Sequence, residues 1–106
     1  MSTTDRTTDT TALDEHTAAL VAELFSALSD TSRVRMISVL AEQEMNVGEL
    51  AEAVSLSESA VSHQLRGLRQ MRLVRARKEG RYVFYALDDD HVVDLFQQGL
   101  DHVLHG

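Results

Sequence analysis

Ser57-Glu58-Ser59-Ala60-Val61-Ser62-His63-Gln64-Leu65-Arg66-Gly67-Leu68-Arg69-Gln70 leads through Met71-Arg72 into two β-prone runs, Leu73-Val74-Arg75-Ala76-Arg77-Lys78 and Arg81-Tyr82-Val83-Phe84-Tyr85-Ala86-Leu87. In the first part Val61, Leu65 and Leu68 recur at i, i+4 and i+7, which predicts a helix from Glu58 to about Gln70 with Ser57 as its N-cap. The other face of that helix shows Ser59, Ser62, His63, Gln64 and Arg66. In the second part Glu79-Gly80 separates the runs, and a two-residue spacer ending in glycine predicts a hairpin. Arg66, Arg69, Arg72, Arg75, Arg77, Lys78 and Arg81 all fall between Ser57 and Tyr85, where only Glu58 and Glu79 are acidic. This segment is therefore about +5 in a chain whose net charge is −7. A solvated charged face would account for a basic run alone. Basic residues gathered on a helix and then on a hairpin point instead to nucleic acid.

Working outward, Val47-Gly48-Glu49-Leu50-Ala51-Glu52-Ala53-Val54 reads as a short helix with Leu50, Ala51 and Val54 inward, joined to the polar helix through Ser55-Leu56-Ser57. Two short helices with a brief turn, the second polar-faced and basic, form a helix-turn-helix layout. Glu44-Met45-Asn46 is expected to be a turn. Before it, Ser29-Asp30-Thr31-Ser32 supplies N-cap chemistry for a helix that buries Val34, Met36, Ile37, Val39 and Leu40 and ends near Gln43. Leu13, Ala18, Leu20, Val21, Leu24, Phe25 and Leu28 make an apolar stripe over Ala12 to Leu28, one helix suited to packing across a second copy. Residues 1–11 lack apolar periodicity and are expected to be a disordered tail ahead of one domain, 12–106. The expected fold is mostly α (α+β): a winged helix-turn-helix with extra N- and C-terminal dimerisation helices, in the order ααααββα.

Composition narrows the function. A chain of 106 residues makes one small domain, marginal as a monomer. It has no cysteine, which excludes disulfides, thiol redox sensing and thiolate-rich metal sites. No apolar run approaches a membrane span and the N-terminus lacks a secretory layout, so a cytoplasmic protein is expected.

The last stretch, Asp88-Asp89-Asp90-His91 through His102-Val103-Leu104-His105, holds three of the five histidines on an amphipathic helix. His91 and His102 share a face but lie about 16 Å apart along its axis, a gap that metal–nitrogen bonds of about 2 Å cannot span. Either the two ends serve separate purposes or an antiparallel second copy brings them together. His16, on the first helix, is read as solvent-facing rather than as a metal ligand.

For DNA, hydrogen-bonding side chains at the front of a helix in the major groove would read base edges. Ser59, Ser62, His63 and Gln64 suit that role, and Gln64 could pair bidentately with adenine. Arg66, Arg77, Lys78 and Arg81 would hold phosphates, which position the protein without specifying sequence.

Leu28-Ser29-Asp30-Thr31-Ser32-Arg33-Val34-Arg35-Met36-Ile37, Ser57 to Leu65 and Glu79-Gly80-Arg81-Tyr82-Val83-Phe84-Tyr85 resemble the ArsR/SmtB family of bacterial winged-helix repressors, over roughly Leu24 to Leu104. One departure is small: Thr31 stands where many relatives have proline. The resemblance implies a homodimer on an inverted-repeat operator of double-stranded DNA, released when metal binds. It also resembles a zinc-sensing branch with Asp-x-His, ten residues, then His-x-x-His on the C-terminal helix, matched by Asp89, His91, His102 and His105. By that resemblance two equivalent interprotomer sites would each take three imidazoles and one carboxylate, a set suited to Zn2+, with Co2+ or Ni2+ as alternatives. Asp88 and Asp90 are expected to be caps or solvated acids. The ring N–H of His102 would bond a backbone carbonyl near Arg72 and carry the metal signal to the recognition helix. The family's cysteine site is not expected, since Asn46 stands where its cysteine would be. Nickel sensing would need further ligands, for which His16 or the N-terminal amine are the candidates. Two rivals remain: a structural zinc that holds a dimer, and a zinc hydrolase, which four protein ligands leave without an open position.

Overall fold

Among the described residues, four of five helices start on a side chain that the sequence puts just ahead of an apolar stripe, and the fifth starts on an aspartate read in another role. The computed structural model describes residues 11–106. The expectation of a disordered tail over 1–11 therefore lies almost wholly outside the described residues. Helix α1 spans Glu15–Ala27, with Asp14 accepting from the Thr17 amide at 3.0 Å. Helix α2 spans Thr31–Leu40, with Asp30 accepting from the Arg33 amide at 3.1 Å. Helix α3, Val47–Val54, opens on a reciprocal pair: the Asn46 side chain accepts from the Glu49 amide at 2.8 Å while Glu49 accepts from the Asn46 amide at 3.0 Å. Ser55, in the left-handed region at φ 58°, ends it. Helix α4, Glu58–Gln70, starts on Ser57 and stops where Arg72 turns left-handed at φ 60°.

Strands β2 (Val74–Glu79) and β3 (Tyr82–Leu87) form the expected hairpin. Glu79 pairs with Tyr82, so the turn residues are Gly80-Arg81 rather than Glu79-Gly80. Only the first of the two has positive φ, 62° at Gly80, the position a type II′ turn reserves for glycine. The expected turn over Glu44-Met45-Asn46 is instead a short strand, β1 (Met45–Asn46), pairing with Tyr85 and Phe84 of β3. Two residues are too few to show alternation, which is why periodicity missed them. The sheet order is β1-β3-β2. Helix α5, Asp90–His105, completes the chain. This is the winged helix-turn-helix expected, with β1 as its addition.

The core comes from α2, α3, α4 and the sheet. Met36, Leu50, Val61 and Leu68 are fully buried, with Ile37, Val54 and Leu65 beside them. Helices α1 and α5 behave differently: their only fully buried residue is Ala27, while Leu20, Phe25, Val103 and Leu104 stand exposed. Between α1, α2 and α5 lies an open apolar groove of about 420 Å³, lined by residues such as Phe25, Val34, Phe96 and Val103.

Candidate nucleic-acid interface and metal centre

Helix α4 turns Val61, Leu65 and Leu68 into the core, and that fixes what it offers outward. Ser59, Ser62, His63 and Arg66 are exposed on it. Gln64 is placed differently from its neighbours. It is half-buried, and its Oε1 accepts from Arg33 Nε at 2.6 Å, across from the start of α2. A bidentate grip on adenine needs that oxygen as well as the amide nitrogen, and the bond from Arg33 leaves the oxygen a second lone pair for it. Arg33 was not singled out from the sequence. No local pattern marks a pairing across 31 residues.

The hairpin carries Arg77, Lys78 and Arg81, all exposed. Arg77 is already engaged: Nη2 and Nε donate to the two Glu44 oxygens at 2.7 and 3.2 Å, and Nη1 lies 3.3 Å from Glu79 Oε2. Its guanidinium also sits 5.2 Å from the Phe84 ring centroid. The hydrogen bond to Glu44 raises the Arg77 pKa further, and the same bond holds the Glu44 carboxyl below its ordinary value. Arg77 is thus a pin between the hairpin and the loop before β1, whereas Lys78 and Arg81 remain the outward cations of the tip. Arg81 lies over the Tyr82 ring at 5.7 Å. Arg75 is also engaged, donating to the Leu87 and Asp88 carbonyls where β3 passes into α5.

Where β3 passes into α5, Asp89 is itself the N-cap of α5, the role expected of its neighbours Asp88 and Asp90. Its Oδ1 accepts from the His91 and Val92 amides at 2.9 and 3.2 Å. The Val92 amide is the chief reason its carboxyl lies below the usual range. Oδ2 is left over, 3.6 Å from His91 Nδ1, so cap and ligand are compatible roles for the one carboxylate. The His91 side chain is 96% exposed. His102 and His105 lie in the last turn of the same helix, also exposed, and His16 is exposed on α1. Among the described residues no three metal-binding side chains converge, and none of the hydrogen bonds described joins His102 to Arg72. Each end of α5 therefore presents half of a donor set: a carboxylate oxygen and an imidazole at one end, two imidazoles at the other. The chemistry of the halves together fits zinc.

The model of the family described as "Bacterial regulatory protein, arsR family" matches residues 30–76, from the start of α2 through the first half of β2. A transcriptional repressor SmtB homologue of Synechocystis sp. is 55% identical over 81% of this chain, which spans 65% of that protein's length. The HTH-type transcriptional regulator NmtR of Mycobacterium tuberculosis is 41% identical over 88% of the chain and 78% of its own length. The solution structure of apo-NmtR superposes with a TM-score of 0.77 over 92% of this chain and 82% of that one, at 39% identity. The homodimeric winged helix-turn-helix DNA-binding domain of Mb0332 from Mycobacterium bovis has the same TM-score at 27% identity, over 92% of this chain and 96% of that one. The matched segment contains the α3–α4 pair and the basic helix that the sequence singled out, and the chain belongs to the arsR family of bacterial regulatory proteins.

Proposed function

We infer that this protein is a metal-responsive transcriptional repressor. As a homodimer it binds an inverted-repeat operator through α4 and the β2–β3 wing, and it releases the operator when zinc binds at the C-terminal helices. The observation that carries the metal part is the division of α5: Asp89 and His91 at one end, His102 and His105 at the other, on a helix whose apolar side lines an open groove with α1. An antiparallel partner α5 laid over that groove completes two equivalent sites. In each, Asp89 and His91 come from one protomer and His102 and His105 from the other. A bound zinc ion would supply a tether between the two α5 helices.

Asp89 holds the first turn of α5 rigid, so its free oxygen and the His91 ring are presented from a fixed helix end. The DNA part is supported by Ser59, Ser62 and His63 on the outward face of α4, with Arg66, Lys78 and Arg81 as phosphate contacts. Arg77 adds a phosphate contact while it holds the wing, and Gln64 meets the bases from a position fixed by Arg33. Arg72, left-handed at the end of α4, marks the point where a hydrogen bond from His102 would reach the recognition helix. A coupling of about 1–3 kcal/mol suffices to empty the operator. The family is one of regulators, not enzymes, so the hydrolase alternative falls.

The test is operator affinity with and without zinc, cobalt, nickel and cadmium, beside a His102→Ala variant. A release by zinc of about fivefold or more, lost in the variant while DNA binding persists, is the expected result. Equal affinity with and without every metal would remove the sensing function. Dissociation or unfolding on chelation would make the metal structural.

A further inference from the structure

Behind the reading face of α4 lies a polar cleft of about 540 Å³, lined by Ser62, Arg66, Arg69 and Gln70 of α4 and Tyr85 of β3. The spacing explains why these side chains meet. Residues 62, 66 and 69 follow one another at i+4 and i+3, and 70 lies four after 66, so all four project from one side of the helix. On β3, Tyr85 lies two residues before the buried Leu87 and so shares its face, packed against the core.

The lining contains no carboxylate. It offers two guanidinium forks, two hydroxyls and a carboxamide, a set rich in donors and suited to an anion with several oxygens. Four other arginines are engaged in hydrogen bonds elsewhere, whereas the side chains of these two, like those of Arg72 and Arg81, are not. Arg33 bonds Gln64, Arg35 the Val54 carbonyl, Arg75 two carbonyls and Arg77 two carboxylates. The Arg66 and Arg69 guanidiniums make no hydrogen bond or ion pair among the described residues.

The geometry points to this cleft as the seat of a single DNA backbone phosphodiester, held by Arg66 and Arg69 and aligned by the Tyr85 hydroxyl. This rests on the DNA-binding function proposed above and names Arg69, Gln70 and Tyr85 as its added parts. A helix whose front turn enters the major groove carries its later turns up beside the sugar–phosphate backbone, where Arg66, Arg69 and Gln70 lie. Tyr85 belongs to the strand that leads back from the wing tip. A phosphate gripped from both α4 and β3 therefore locks the recognition helix and the wing to the same strand of DNA. The contact positions the protein and reads no base.

The experiment measures binding of the full chain to a mixed-sequence duplex over a range of salt concentrations. Arg66→Gln/Arg69→Gln should lower the magnitude of the log K against log salt slope by about 0.9 per bound protomer, one phosphate each, and Arg69→Gln alone should lower it by part of that. Arg69→Lys should keep the slope but weaken binding severalfold, since it keeps the charge and loses the fork. Tyr85→Phe should also weaken binding with the slope unchanged. A wild-type protein that binds duplex normally, with Arg69→Gln binding just as well and with the same slope, overturns the cleft alone. A wild-type protein with no salt-dependent duplex binding overturns the DNA function and the cleft with it. Titration with inorganic phosphate at constant ionic strength, followed by the Tyr85 ring resonances, separates the sources. Saturation below millimolar phosphate would make the ligand a free anion and overturn the backbone assignment.

Discussion

Asp89 joins two tasks in one carboxylate, and two substitutions separate them. Oδ1 caps α5 and Oδ2 remains for a metal. Asparagine keeps an acceptor oxygen for the cap but loses the charge, whereas alanine loses both. Asp89→Asn should therefore leave thermal stability near that of wild type while zinc affinity falls at least tenfold. Asp89→Ala should show the same loss of affinity and lose about 0.5–2 kcal/mol of stability as well. Calorimetric unfolding of the metal-free proteins beside competitive zinc titration reads both. Unchanged zinc affinity in Asp89→Asn would take Asp89 out of the ligand set. The spacing of Asp89, His91, His102 and His105 is visible in the sequence, but the cap is not, because three consecutive aspartates are chemically equivalent candidates. What selects the middle one is the extended backbone at Asp89, φ −158°, which only the fold sets.

Among the elements, the wing is the one whose attachment was least legible. Its strands follow from β-prone runs around Glu79-Gly80, yet the register of the turn and the pairing of β1 with β3 needed the structure. So did Glu44, which the sequence placed in a turn and which holds Arg77 across 33 residues. Helices α3 and α4, by contrast, were legible to their ends, α3 from its apolar spacing and α4 with Ser57 writing its cap locally, while the Asn46–Glu49 capping pair that opens α3 emerged only in the structure. The pin makes the wing sensitive to acid. The Glu44 carboxyl is held below its ordinary value of 4.5 by Arg77, so the native state binds its proton less readily than the unfolded chain does. Its contribution is complete above that value and fades as the pH falls through the depressed one. The Arg77 Nε–H resonance should therefore stay protected from solvent exchange at neutral pH and lose protection below about pH 4.5. In Glu44→Gln it should be less protected and indifferent to pH over that range. A wild-type-like titration in the variant would mean that another acid, Glu79 foremost, holds the guanidinium.

At the scale of the whole molecule, the core and the uncovered faces are built from different parts of the chain, and that separation can be tested. The buried residues of α2, α3, α4 and the sheet close on one another, while Leu20, Phe25, Val103 and Leu104 of α1 and α5 remain exposed. Exposed apolar surface of this kind is what an interface between copies covers, and in the proposed dimer it is also what brings His102 and His105 to the partner's Asp89 and His91. Val103 is 79% exposed and lies between the two histidines of the last turn, so a charge there costs the monomer little and the interface much. Val103→Glu should sediment as a monomer at micromolar concentration and keep the helical signal of its core. With Co2+ it should fail to give the intense visible bands of a four-coordinate site, because each end of a lone α5 carries only half of a site's donors. Mixing it with a His102→Ala/His105→Ala chain should not restore the bands, since the two still cannot pair. Mixing Asp89→Ala/His91→Ala with His102→Ala/His105→Ala in the unaltered interface should restore one site in each mixed dimer, half of the wild-type intensity for that dimer. Strong bands from monomeric Val103→Glu would place all four ligands within one chain and end the interprotomer assignment.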